Sequence, residues 1–217
     1  MPIDSDLRPL RARLASFLLC MLVAAATSAC VTTSGAVNER PPAGPWLMPS
    51  PNLRQQIEEE AKRLPWSHGI ERVDSIRWFA KVGEPAYPTL LEMALDPRQD
   101  VAGAALAALG ATRDSRLVEH LRALPQPRGS GSADLQLERA RTLLRLGDWQ
   151  SVPVLIDGLR DERMMTRALC MQALSEATHE RFDFDPQAHE LAREVSVQRW
   201  ESWWRERSTD PLLSAKR

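Results

Sequence analysis

Residues 100–124, DVAGAALAALGATRDSRLVEHLRAL, confine the chain to a narrow choice of architecture. Val101, Ala104, Ala105, Ala108 and Leu109 recur at the three-and-four spacing of one helical face, and Leu117, Val118, Leu121 and Leu124 repeat it after a short break. Gly110 follows the first run and is expected to take a left-handed conformation that closes that helix, while Asp114 or Ser115 supplies an N-cap oxygen for the second. The unit is a helical hairpin. Its first helix is largely alanine, the best helix former, with so little side-chain bulk that neighbouring helices can approach closely on nearly every side. A helix of this composition needs protein around it, which predicts an all-α fold of packed hairpins.

The pattern recurs on both sides. Residues 74–96 place Gly83 where Gly110 stands and continue with Leu90, Leu91, Ala94 and Leu95; residues 138–161 place Gly147 there. Pro85, Pro88 and Pro153 fall in or near the first turn of the helix after each glycine, where a missing N–H matters least, and Asp96 and Asp161 close those helices. The order of apolar helix, Leu-Gly or Val-Gly, short turn, Leu-Leu or Leu-Ile helix and Asp resembles bacterial HEAT-like repeats, the kind also found in bilin lyase families. Thr166-Arg167 stands at that family's Val-Arg, and Ala173-Leu174 at its Ala-Leu. The resemblance covers residues 73–178 and implies a right-handed α-solenoid of HEAT-like hairpins with N- and C-terminal capping helices. Two departures stand out: Val101-Ala102 lacks the usual arginine, and an insert at residues 125–132 stretches the spacing between glycines. Only the architecture is shared with the lyases, so no lyase activity and no catalytic residue is carried over.

Ahead of the repeats lies a targeting segment. Arg8, Arg11 and Arg13 precede an apolar run from Leu14 to Ala26, which ends in Thr27-Ser28-Ala29-Cys30. The run is shorter than the roughly 20 residues of a membrane-spanning helix. Small residues before a cysteine resemble the lipobox of bacterial lipoproteins, which implies cleavage after residue 29 and lipidation of Cys30; an ordinary signal-peptidase cut or an uncleaved anchor is the alternative. Val31 rather than aspartate after the cysteine implies, by resemblance to the sorting rule, an outer-membrane address facing the periplasm. Cys20 lies in the segment to be removed, so with Cys30 lipidated only Cys170 remains and no internal disulfide can form. Cys170 occupies a helix position where such repeats carry a small buried residue, and it reads as a core thiol. Residues 30–51 are rich in Thr, Ser, Gly, Ala and Pro; with few large apolar groups to offset ordering entropy, they form a tether. Trp46 and Leu47 are its exceptions, and they either touch the membrane surface or tuck against the domain.

The folded part is expected over residues 52–207, a length sufficient for one continuous core. It opens with a cap helix at 52–64, in which Leu53, Ile57 and Leu64 share a face and Glu58 to Arg63 make the wet side, followed by repeats at about 70–178. The insert PQPRGSGSAD at 125–134 is a loop, with Ser132 or Asp134 capping the next helix. A long helix is expected at 186–207, begun by Asp185-Pro186, with Leu191, Val195, Val197, Trp200, Trp203 and Trp204 on its apolar side; residues 208–217 read as a frayed tail. Endings of this form, Phe-Asp-Phe-Asp-Pro followed by Arg-Trp and a Trp-Trp pair, are similar to those closing HEAT-like repeats in other bacterial proteins. Each tryptophan can bury about 150–250 Å². The helix therefore either covers the end of the stack or offers Trp200, Trp203 and Trp204 to a partner.

Catalytic signatures are few. The sequence holds no Walker loop, no Gly-x-Gly-x-x-Gly, no His-Glu-x-x-His, no Cys-x-x-Cys and no Gly-x-Ser-x-Gly. His179, Asp183, Asp185 and His189 mix nitrogen and oxygen donors, yet their spacing fits no zinc or calcium loop, so neither a metal nor another cofactor is expected. With 28 basic and 29 acidic side chains and no basic stripe, a nucleic-acid footprint is missing. The reading is a non-enzymatic, lipid-anchored adaptor or scaffold of the bacterial envelope that binds another envelope protein. Two alternatives remain: a structural subunit docking through the Trp-rich helix, and a small-ligand-binding or bilin-lyase-like protein using the concavity, where His179 or His189 would have to meet carboxylates.

Overall fold

The computed structural model describes residues 46–129 and 131–209. Nine α-helices and three short 3₁₀ turns make up these residues, and no strand occurs among them. The helices are α1 (Pro51–Arg63), α2 (Gly69–Val82), α3 (Tyr87–Met93), α4 (Gln99–Ala111), α5 (Leu117–Ala123), α6 (Ser132–Arg145), α7 (Val152–Gly158), α8 (Met164–Thr178) and α9 (Glu190–Ser208). The segment expected to be a signal peptide, Cys30 and most of the expected tether lie outside the described residues, as does the tail beyond Thr209. No described helix is long and apolar enough to cross a membrane.

The alanine-rich helix holds the centre. Val101, Ala102, Ala104, Ala105, Leu106, Ala108, Leu109 and Gly110 of α4 are all buried, so the helix is wet along only one narrow strip. α2 packs along α4, α4 along α6 and α6 along α8, with the closest packing between α4 and α6. Small side chains permit that approach. A Cβ on Gly110 would lie 3.3 Å from the Thr142 Cα, and the Thr142 hydroxyl donates to the Leu106 carbonyl at 3.0 Å, tying α6 to α4. The short helices α3 and α7 back α4 and α8, and α9 lies on α7. Two buried clusters meet at α6: Phe79, Leu90, Leu109, Leu117, Leu121 and Leu146 belong to one, and Leu144, Leu155, Leu159, Cys170, Leu174 and Trp200 to the other.

Gly110 does not take the left-handed role expected of it. It stays helical, and the residue with positive φ (56°) is Arg113, while Gly83 and Gly147 do have positive φ, at 69° and 94°. Contact with Thr142, rather than chain reversal, explains the glycine at 110. The helix starts use a different device from the caps expected. Arg116, Gly131 and His189 occupy the N-cap positions of α5, α6 and α9, and neither Asp114, Ser132, Asp134 nor Asp185 does. Instead an aspartate folds back on the residue two positions ahead in three Asp-x-Arg turns. The backbone N–H of Arg98 donates to Asp96 Oδ1 at 2.9 Å, that of Arg116 to Asp114 Oδ1 at 3.0 Å and that of Arg163 to Asp161 Oδ1 at 2.8 Å, and in each case the same arginine's guanidinium returns to the same carboxylate. Asp148 uses the same turn with Gln150 at 3.0 Å, and its carboxylate also takes two N–H groups of Arg122.

Two buried arginines close the gaps between hairpins. Arg139 sits eight residues before Gly147, Arg167 eight before Ser175, and both are buried. Arg139 donates to the carbonyls of Leu121, Arg122, Leu124 and Pro125, satisfying the C-terminal end of α5, where helix carbonyls run short of backbone N–H partners. Arg167 donates to the Asp161 and Glu162 carbonyls, each at 2.8 Å, and through Nε and Nη2 to that of Pro186. Arg167 thus ties the loop before α9 to the start of α8.

At the N-terminal edge, Trp46 settles one open alternative. It is buried, edge-on to Tyr87 at 4.9 Å and tilted against His120 at 5.0 Å, with the Arg116 guanidinium 5.4 Å from its ring centre. Leu47 stays exposed, although its N–H donates to Glu84 at 3.2 Å. The helix predicted at 186–207 begins at Glu190, because Asp185 spends its carboxylate on the Gln187 N–H in an isolated turn and His189 Nδ1 accepts from Ala192. Leu191 and Val195, expected on the apolar side of this helix, face solvent; Val197 and Trp200 carry the buried side.

Candidate interaction surfaces

Three helices that pack side by side leave a groove along the wet strip of α4. Gly103, Ala104 and Ala107 form its floor, Arg72 and Ile76 of α2 one wall, and Leu135, Glu138, Arg141 and Arg145 of α6 the other, with Asp100 and Asp134 at one end. It encloses about 360 Å³. The smallness of the floor residues makes the depression, since any larger side chain at 103 or 107 would fill it.

Its charges are arranged in pairs. Arg72 Nη2 meets Asp100 at 2.8 Å, Arg141 Nη1 meets Glu138 at 2.5 Å, and Arg163 reaches over from the α7–α8 turn to hold Asp134 at 2.8 and 2.5 Å. The carboxyls of Asp100 and Asp134 are held below the usual carboxylate range by these guanidinium hydrogen bonds. Donors are left over. Nε of Arg72 and Nε of Arg141 have no partner although both are buried, and Arg141 as a whole is 9% exposed. Among the described residues Arg145 pairs with Glu176 at 3.5 Å.

Gly103 is the least explained residue in the groove. A glycine inside a helix is less favourable than alanine by about 1 kcal/mol. At Gly110 and Gly158 a neighbouring atom accounts for that penalty, whereas a Cβ on Gly103 would meet nothing within 4 Å. The space above it is open.

A second surface lies on α9. Trp200 is fully buried, with Phe182 edge-on at 4.7 Å and Trp203 at 5.5 Å. Trp203 and Trp204 are half-buried, and the Arg207 guanidinium lies 5.7 Å from the Trp203 ring. One shallow cleft beside the helix is lined by Phe182, Val195, Arg199 and Trp203, another by Pro153, Ile156, Arg160, Glu201 and Trp204. Arg160 fixes α9 in place through two hydrogen bonds to Glu194, at 2.9 and 2.8 Å, and one to Glu201 at 2.8 Å. Phe182 and Asp183 both have positive φ, 50° and 57°; aspartate tolerates this conformation, and the contact of Phe182 with Trp200 offsets its cost at the bulkier side chain.

No protein-family model matches the chain, and no curated protein matches its sequence.

Of the four positions weighed for metal binding, three serve the backbone and one an ion pair. His179 ends α8 in a left-handed conformation, Asp183 pairs with Arg199 at 3.1 Å, Asp185 receives the Gln187 N–H and His189 caps α9. Among the described residues no three His, Cys, Asp or Glu side chains converge on one point. Cys170 is buried between α7 and α8, and burial pushes its thiol up to about 12, so it stays protonated near neutrality. The sequence reading overlooked Arg72, Gly103 and Arg141. The one local signal among them was Gly103 itself, a glycine in mid-helix amid alanines.

Proposed function

We propose that this protein is a non-enzymatic HEAT-repeat adaptor or scaffold of the bacterial envelope. The reading takes the chain as a right-handed solenoid of HEAT-like hairpins, tethered through a lipid on Cys30 to the outer membrane and presenting a rigid face to another envelope protein. The run of α2, α4, α6 and α8 packed in sequence supports it, as do the recurring Asp-x-Arg turns and the matched positions of Arg139 and Arg167. The observation that carries the binding function is the groove over Gly103 and Ala107, whose walls hold guanidinium donors that the fold itself leaves unused. Tethering would raise the local concentration of this face without any new contact.

Crosslinking in intact cells, followed by capture of a C-terminally tagged chain from detergent-solubilised envelope, tests the proposal. One envelope protein recovered near stoichiometry is the expected result; recovery of the chain alone would count against an adaptor. Labelled palmitate should enter the wild type and not Cys30→Ala. A second reading, a structural subunit docking through α9, draws on the half-buried Trp203 and Trp204 and on exposed Leu191 and Val195. Here Trp204→Ala would abolish assembly with little change in melting temperature.

A further inference from the structure

We infer that the groove over α4 receives an extended acidic segment of the partner protein, whose backbone lies against Gly103 and Ala107 and whose carboxylates take the free guanidinium donors of Arg141 and Arg145. The inference rests on the adaptor reading and narrows it to a site and a ligand class.

Two independent features point to a ligand at this place. The first is the open space above Gly103, where glycine serves neither a turn nor a contact with any described residue. Absence of a Cβ there matters only if something from outside comes close, and a main chain is the object that benefits most from a floor of hydrogen and methyl groups. The second is the nine-tenths-buried Arg141, which holds Glu138 with one nitrogen and leaves Nε without an acceptor. The buried arginines Arg139 and Arg167, by contrast, engage three or more backbone carbonyls each.

The sign of the ligand follows from the pairing. All three carboxylates lining the groove already hold an arginine: Asp100 has Arg72, Glu138 has Arg141 and Asp134 has Arg163. A basic segment would have to displace one of these. An acidic one finds donors on Arg141 and on Arg145, whose ion pair among the described residues is a long one, 3.5 Å to Glu176, and guanidinium forks suit carboxylates in both geometry and charge.

The experiment measures fluorescence anisotropy of two labelled peptides, acidic Gly-Glu-Ala-Glu-Gly-Glu and basic Gly-Lys-Ala-Lys-Gly-Lys, titrated with the detergent-solubilised full chain. Thermal melts of every variant accompany it. The acidic peptide should bind at least tenfold more tightly than the basic one and lose affinity as salt rises. Gly103→Leu, whose Cβ meets no described neighbour and whose side chain fills the groove, and Arg145→Gln should each weaken it at least tenfold with no fall in melting temperature. Gly103→Ala should raise the melting temperature. No preference for the acidic peptide, unchanged affinity in Gly103→Leu, or a lower melting temperature in Gly103→Ala would each overturn the inference. Capture of the envelope partner by Gly103→Leu as efficiently as by wild type would also remove the groove but leave the adaptor reading standing. Failure of wild type to capture any partner strikes the adaptor reading instead.

Discussion

Gly158 and Cys170 should be strongly coupled. Gly158 ends α7, and a Cβ built there would lie 2.6 Å from the Cys170 Sγ and 2.8 Å from the Leu137 Cδ2. Leu137 is only partly buried and can swing its methyl aside, whereas Cys170 is fully buried on α8. Overpacking of a tight core site typically costs about 1–3 kcal/mol, and the helix preference of alanine over glycine returns at most ~1 kcal/mol at a helix terminus. The net loss for Gly158→Ala is about 1–2 kcal/mol, and at ~2–4 °C per kcal/mol for a domain of this size the melting temperature should fall by roughly 2–8 °C. Cys170→Ala alone removes one buried sulfur and should cost ~1 kcal/mol. Combined, the new methyl occupies the space the sulfur vacated, so the double variant should be no less stable than Cys170→Ala, with a favourable coupling of about 1–2 kcal/mol. Urea unfolding followed by circular dichroism on all four proteins closes the cycle. Strictly additive losses would refute the packing argument and mean that α7 and α8 separate at little cost.

Arg139→Met should destabilise by about 2–4 kcal/mol, because it strands the end carbonyls of α5 in a buried setting, and Arg139→Lys should rescue little, since an ammonium has three donors and no planar fork; urea midpoints measure both. Trp200→Ala should cost about 3–5 kcal/mol as a fully buried aromatic, with Trp204→Ala well below it, and equal effects in thermal melts would overturn the assignment of Trp200 to the core. Acid should destabilise the fold. The carboxyls of Glu84, Asp96, Asp114, Asp134, Asp161 and Glu194 are all lowered, first by arginine hydrogen bonds, so their folded-state affinity for protons is below that of the unfolded chain. Their contribution is complete above the unfolded carboxylate range and is lost as pH falls through it, so melting temperature should be level from about pH 7 to 5 and decline below about pH 4; a rise on acidification would contradict the ion-pair geometry.

Helix positions could be read from residues 51–158 because amphipathic spacing is local. The first helix was expected at 52–64 and runs Pro51–Arg63. Cap chemistry is less informative about length. Asp185-Pro186 has the composition of a helix start, yet that start is spent on a single turn and the long helix waits for His189, four residues later. Nor did spacing tell the two sides of α9 apart: Leu191 and Val195 match the period as well as Val197 and Trp200 do, and only the packing of α7 against one side decides which are buried. The groove lay beyond any local reading, because its walls come from helices separated in sequence. Arg72 and Asp100, which form one ion pair in it, are 28 residues apart.

Three helical glycines carry the argument from fold to function furthest. Gly103, Gly110 and Gly158 look alike as letters, and at each the helix gives up about 1 kcal/mol relative to alanine. Packing explains two of them, through Thr142 at Gly110 and Cys170 at Gly158. It does not explain the third. The arginines divide in the same way: Arg139 and Arg167 spend their donors on carbonyls of the chain, while Arg72 and Arg141 keep a buried N–H without an acceptor. An unexplained glycine alone marks little, and so does an unfilled donor. Here the glycine and both arginines line one groove, and a ligand that brings a main chain and a carboxylate draws on the two kinds of residue together.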